Sequence, residues 1–202
     1  SMTPETDEPG KNEVLLRGDQ LNSMLHGAGI KQVWATEWGW SSYAGPKEMQ
    51  DLIGVDGQAD YTLRRLALMA SQDYQKIFLF ALSDLDQRAS PRDQHYGLLN
   101  LDGEPKPVYT ALARFLEITG PTLEPGNTPQ LQDVPDSFYS VAWTRPDGKN
   151  LLMYWSAKGS SISLPGIKHA ELLDPLTGAR QTLSDDNGIR PAVKPSLQIL
   201  VW

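Results

Sequence analysis

"VWATEWGW", residues 33–40, sets three tryptophans around one glutamate at the end of a short β-rich run. The segments around it decide the fold. Upstream, from Asn12, the apolar residues Val14, Leu15, Leu21, Met24 and Leu25 fall at helical spacing, with Asn12 as an N-cap and Gly27 or Gly29 as a stop. "IKQVWAT" is then a strand. A loop from Trp38 to about Gln58 leads to a second helix bearing Leu63, Leu66, Ala67 and Ala70. "KIFLFAL", residues 76–82, has no polar alternation, the pattern of a strand buried on both faces of a parallel sheet. A further long loop, Ser83 to Lys106, precedes a third helix that begins near Pro107 and carries Val108, Leu112, Phe115 and Leu116 on one face. Helix, strand, helix, strand, helix implies βαβ units, with both long loops at the carboxyl ends of the strands.

The pattern changes after residue 119. Residues 120–137, "GPTLEPGNTPQLQDVPDS", hold four prolines and two glycines and read as a stiff linker. Short strands with turn signals follow: "FYSVAW", "LLMYW", "ISL", "AELLD", "ARQTL" and "SLQILVW", separated by "PDGKN", "PLTG" and "DDNG". The expected organisation is an α/β segment over 1–119, a linker over 120–137 and a small antiparallel β-sandwich over 138–202. At that size the sandwich would need support from the α/β part.

Composition narrows the partners. The net charge is -7 with 18 Lys and Arg scattered along 202 residues, which disfavours a nucleic-acid backbone and suits a neutral or cationic ligand. No apolar run is long enough for a membrane span. There is no cysteine, so disulfides and thiolate metal sites are excluded. The opening Ser-Met resembles a cloning scar, compatible with a secreted protein lacking its leader.

Glu37 stands where α/β barrels and open sheets present catalytic groups, at a strand's carboxyl end. Beside Trp38 and Trp40 it suits a sugar site, where aromatic faces stack on pyranose rings while the acid works at the anomeric carbon. The alternative is that Glu37 pairs with an arginine and the tryptophans are core and rim.

"VWATEWGWSS" resembles the seventh-strand signature of clan A glycoside hydrolases, closest to the family 39-like group, in which the corresponding Glu is the nucleophile. "KIFLFALSDLD" and "HYGLLNLDGEPKPVYTALARF" resemble that group's eighth strand, its Gly-Leu-Leu segment and the start of its last barrel helix. The resemblance implies a partial (β/α)₈ TIM barrel, its last two strands and flanking helices, followed by a β-sandwich. It also implies Glu37 as catalytic nucleophile of a retaining enzyme acting on a β-linked polysaccharide or oligosaccharide, of bacterial, secreted or periplasmic setting, with no cofactor. A barrel needs about 250 residues and eight strands. The strand that carries the Asn-Glu acid/base has no counterpart, since Asn12-Glu13 opens a helix and reads as a cap. The 202-residue chain alone is therefore expected to be inactive, with the missing barrel half as a partner or a second copy of the chain covering its open sheet edges. The rival reading is a non-catalytic carbohydrate-binding or assembly module.

Tyr43, in the loop after the Glu strand, is a candidate substrate contact. Asp84 and His95 are candidates beside the second strand, although Arg88 and Arg92 suggest surface ion pairs or loop bracing for Asp84 and Asp86. No metal is expected, because Asp84, Asp86 and Asp93 lack the spacing of a calcium loop, and His26 and His169 have no ligand partner. Trp143, Trp155 and Trp202 end β-like runs and read as packing residues.

Overall fold

The computed structural model describes residues 13–46 and 52–202. They fall into two compact units, one reaching to Leu112 and one running from Ala113 to Trp202. The proposed N-cap, Asn12, lies outside the described residues.

The first unit follows the expected order: α1 (Glu13–Gly27), β1 (Trp34–Trp38), α2 (Gly54–Ala70), β2 (Lys76–Leu79) and the start of α3 (Pro107–Thr119). α1 ends in a Schellman motif. The amide of Gly29 bonds the carbonyl of His26, and that of Ile30 bonds Leu25. Gly29 supplies the left-handed φ of +86° that this stop requires. Leu21 and Met24, expected on the buried face of α1, are exposed. The anchoring is polar instead. Buried Gln72 donates to the carbonyl of Leu15 at 2.9 Å, Asn22 donates to the carbonyl of Gln72, and a side chain at Gly18 would collide with Gln72. α2 begins at Gly54, four residues before the expected start, and buries Ala59, Leu63 and Ala67 in one i, i+4 line.

β1 and β2 pair in parallel as a two-stranded sheet, with Trp34 opposite Lys76, Ala35 opposite Ile77 and Trp38 opposite Leu79. Three residues of β1 thus span two of β2, a β-bulge that brackets Thr36 and Glu37. The expectation that "KIFLFAL" is buried on both faces does not hold. β2 stops at Leu79, and Trp34, Phe78 and Leu82 are 46%, 47% and 66% exposed. With one neighbour each among the described residues, neither strand has enough sheet around it to cover its apolar face. No closed barrel is formed by the described residues.

The loop from Ser83 to Lys106 is ordered by its own backbone. The amides of Leu98 and Leu99 bond Ala81 and Leu82, that of Asp84 bonds Leu99, and that of Lys106 bonds Leu98. A Cβ on buried Gly97 would strike the backbone of Ser83, Asp84 and Leu99, so the crossing needs glycine. α3 starts at Pro107 as expected and buries Val108, Ala111, Phe115 and Ile118, while Leu116 points to solvent.

The second unit is a six-stranded antiparallel sheet in the order β3-β4-β5-β10-β7-β8: β3 (Glu124–Pro125), β4 (Phe138–Thr144), β5 (Asn150–Ser156), β10 (Gln198–Val201), β7 (His169–Leu173) and β8 (Arg180–Ser184). A separate ribbon pairs β6 (Ser160–Ser161) with β9 (Ala192–Val193). Ile162, Leu164, Ile167, Ile189 and Val193, from the ribbon and its flanks, pack with Phe138, Leu152, Tyr154, Leu172 and Leu200 in one core. The second layer is thus a short ribbon with irregular flanks. The stretch 120–137 is tied into this unit. β3 pairs with β4, Gln132 and Ser163 exchange backbone hydrogen bonds at 2.9 Å, and Leu131 packs on the core. Trp143 and Trp155 are buried, as their reading as packing residues requires.

Candidate functional site

Beyond the carboxyl ends of β1 and β2 lies a cleft of about 440 Å³ lined by Glu37, Trp38, Gly39, Phe80, Leu85, Ala89, Arg92, Asp93 and Tyr96. Glu37 is exposed and makes no hydrogen bond or ion pair among the described residues. The alternative of a structural Glu–Arg pair therefore has no counterpart there. The bulge takes Glu37 out of strict strand alternation, a device that re-aims a side chain near a strand end. Gly39 allows the turn that follows. A Cβ there would collide with the carbonyl oxygen of Phe80, whose amide bonds the carbonyl of Trp38 at 2.8 Å.

Trp38 lines the cleft and meets Trp40 edge-on, with centroids 5.8 Å apart at 85°. Its indole nitrogen is buried without a conventional partner among the described residues. Trp40, expected as a substrate contact, is a core residue instead, only 6% exposed. Tyr61 packs on it at 78° and the Arg65 guanidinium lies 5.0 Å from its ring centre, which leaves no face for a sugar. Tyr43 and His95 stack on each other at 5.8 Å and 29°, and neither lines the cleft.

Asp84, a candidate sugar contact, braces its loop instead, the alternative that the sequence also offered. Its carboxylate accepts from Lys106 Nζ at 3.0 Å and from the amide of Gly97 at 2.8 Å, with both charged side chains largely buried. It fastens the loop, and its partner is Lys106, not Arg88 or Arg92. Asp86 does pair with Arg88, at 2.8 Å, and the arginine holds its carboxyl below the usual range.

Two cleft residues escaped the sequence reading. Arg92 and Asp93 sit at a 3₁₀ turn, Asp93–His95, and pair at 3.3 Å. The turn is held from several sides. Ser41 Oγ donates to the Arg92 carbonyl at 2.6 Å, and the Ser42 amide and Lys106 Nζ donate to the His95 carbonyl at 2.9 and 3.1 Å. From α2, buried Gln58 points its Nε2 at the carbonyls of Trp40, His95, Tyr96 and Gly97, between 2.9 and 3.4 Å. No sequence motif announces such a convergence. The polar cluster "SPRDQH" in a long loop is the one signal that could have marked it.

Comparison with solved structures places this geometry. A family 39 glycoside hydrolase from the gut symbiont Bacteroides cellulosilyticus WH2 superimposes with a TM-score of 0.67 at 20% identity, over 91% of this chain and 37% of its own. The chain shares the fold of part of a glycoside hydrolase. The catalytic domain of the family 30 xylanase C from Talaromyces cellulolyticus gives 0.55 at 14% identity, over 91% of this chain and 48% of its own. The thermostable family 51 α-L-arabinofuranosidase from Thermotoga petrophila RKU-1 gives 0.56 at 16%, over 94% and 47%. The chain thus spans between about a third and a half of the length of these three enzymes. No protein-family model and no curated protein sequence matches it. No helix among the described residues is long and apolar enough to cross a membrane.

Proposed function

We propose that this chain is the nucleophile-bearing part of a retaining glycoside hydrolase acting on a β-linked polysaccharide or oligosaccharide. The observation that carries the reading is Glu37: an exposed carboxylate, unpaired among the described residues, in a cleft beside Trp38, on a fold shared with glycoside hydrolases. In the reaction, Glu37 attacks the anomeric carbon as the glycosidic bond breaks, giving a glycosyl-enzyme that water releases. A second carboxyl, about 5 Å away in retaining enzymes, protonates the leaving group and then activates the water. Asp93, the other carboxylate among the described lining residues, is engaged by Arg92 at 3.3 Å, and the acid/base role is not assigned to it. The acid/base is assigned to further barrel strands, on another part of the protein or on a partner chain. The exposed Trp34, Phe78 and Leu82 support the packing of such strands against β1 and β2. A bacterial, secreted or periplasmic setting goes with this reading.

The test is trapping with 2-deoxy-2-fluoro β-glycosides of activated leaving group, which form the glycosyl-enzyme without an acid. Mass spectrometry is expected to place one sugar on the peptide carrying Glu37, and Glu37→Gln abolishes the label while keeping the melting temperature. Saturable sugar binding with no adduct from any member of the panel would favour the non-catalytic binding module instead.

A further inference from the structure

We infer that Arg92 and Asp93 form the element that sets sugar specificity in the Glu37 cleft, selecting neutral or amino sugars over uronic acids; this rests on the reading of the cleft as a sugar site. The first ground is the way the pair is made. Arg92 directs both Nε and Nη2 to a single oxygen of Asp93, Oδ1, each at 3.3 Å. Oδ2 has no partner among the described residues, and the Asp93 side chain is 42% exposed. A carboxylate anchored through one oxygen presents the other as a strong, fixed acceptor for a sugar hydroxyl.

The second ground is rigidity. The Asp93 amide donates to Ser90 Oγ at 3.3 Å, the Arg92 carbonyl accepts from Ser41, and the His95 carbonyl accepts from Ser42 and Lys106. An acceptor on a backbone held this firmly loses little freedom when a ligand binds.

The third ground is charge. Among the described residues Glu37 and Asp93 face the cleft with Arg92 as the one lining cation, so that lining is net negative, in keeping with a chain of net charge -7. A uronic acid would bring a third carboxylate, which the Asp93-bound guanidinium is poorly placed to take up. A neutral ring meets no such penalty, and an ammonium group gains attraction.

The experiment is a saturation-transfer NMR titration of the full chain at pH 7.5 with the methyl β-glycosides of glucose, mannose, glucosamine and glucuronic acid. The glucuronide is expected to bind about fivefold or more weakly than the better neutral sugar, the factor one unit-charge repulsion at ~4 Å gives in water. Asp93→Asn should erase that discrimination and weaken the neutral sugar, while Asp93→Glu, which keeps the charge, retains the discrimination. Equal affinity for glucuronide and neutral sugar, or discrimination unchanged in Asp93→Asn, overturns the inference and leaves the glycosidase reading standing. Absence of binding by all four sugars overturns both.

Discussion

Gln58 offers a direct test of how the cleft is held. Its Nε2 is the buried donor on which the carbonyls of Trp40, His95, Tyr96 and Gly97 converge. Replacement by methionine keeps the volume and removes the donor. The His95 carbonyl would still accept from Ser42 and Lys106, and that of Tyr96 from the amide of Ala81. The carbonyls of Trp40 and Gly97 have no other donor among the described residues, and both residues are buried. Stranding two buried acceptors at ~1–3 kcal/mol each costs about 2–6 kcal/mol, a large share of an ordinary domain's stability. For a protein of this size that is a fall in Tm of roughly 4–24 °C, read by differential scanning calorimetry. Gln58→Glu adds a signature that packing loss cannot imitate. A carboxylate facing four carbonyls is repelled and its folded-state pKa rises, so its destabilisation is large at pH 7 and shrinks below the carboxylate range, where the protonated acid regains one donor. A methionine variant melting within about 2 °C of wild type, or a glutamate variant whose deficit is independent of pH, would refute the reasoning.

Two further outcomes follow from the same structure. Gly39→Ala drives a methyl into the backbone oxygen of Phe80, so it should destabilise the first unit by about 2 kcal/mol or more and perturb Trp38 fluorescence; unaltered urea unfolding would contradict the close approach. Burial pushes the Asp174 carboxyl up, but the Thr177 amide, Lys194 and Gln198 together hold it below its ordinary value, so its stabilisation is present above the unfolded carboxylate pKa and lost as pH falls through the folded one. Asp174→Asn should lower stability at pH 7 and flatten the acid limb of an unfolding curve, and an acid limb as steep as wild type would show that another group controls it.

The alternation of elements and the position of Glu37 were legible because they rest on local patterns: hydrophobic period, a strand-ending carboxylate, Pro at a helix start. What was not legible depends on partners distant in sequence. Trp40 looked like a sugar platform until Tyr61 and Arg65, from a helix beginning fourteen residues later, covered it. Asp84 was legible as a loop brace, but its counter-ion, Lys106 at the far end of the loop, was not. Leu116 and Leu21 fit an apolar period, but the burying surface lies one position off on α3, and α1 is fixed through Gln72. Arg92 and Asp93 reach the cleft through a turn whose donors come from three separate segments, which no window of adjacent residues contains.

The bulge in β1 uncouples two demands that a regular strand would bind together. Up to Ala35 the side chains answer to the ladder with β2, while Glu37 lies within the register shift between Ala35 and Trp38 and its direction is free of that phase. Substitutions at Trp34 or Ala35 can therefore drift with the packing of the sheet without swinging the carboxylate. Deleting the single codon for Thr36 should do the opposite, restoring the ladder and turning the acid out of the cleft. One surplus residue makes β1 a strand whose chemistry and whose scaffold can evolve on separate schedules.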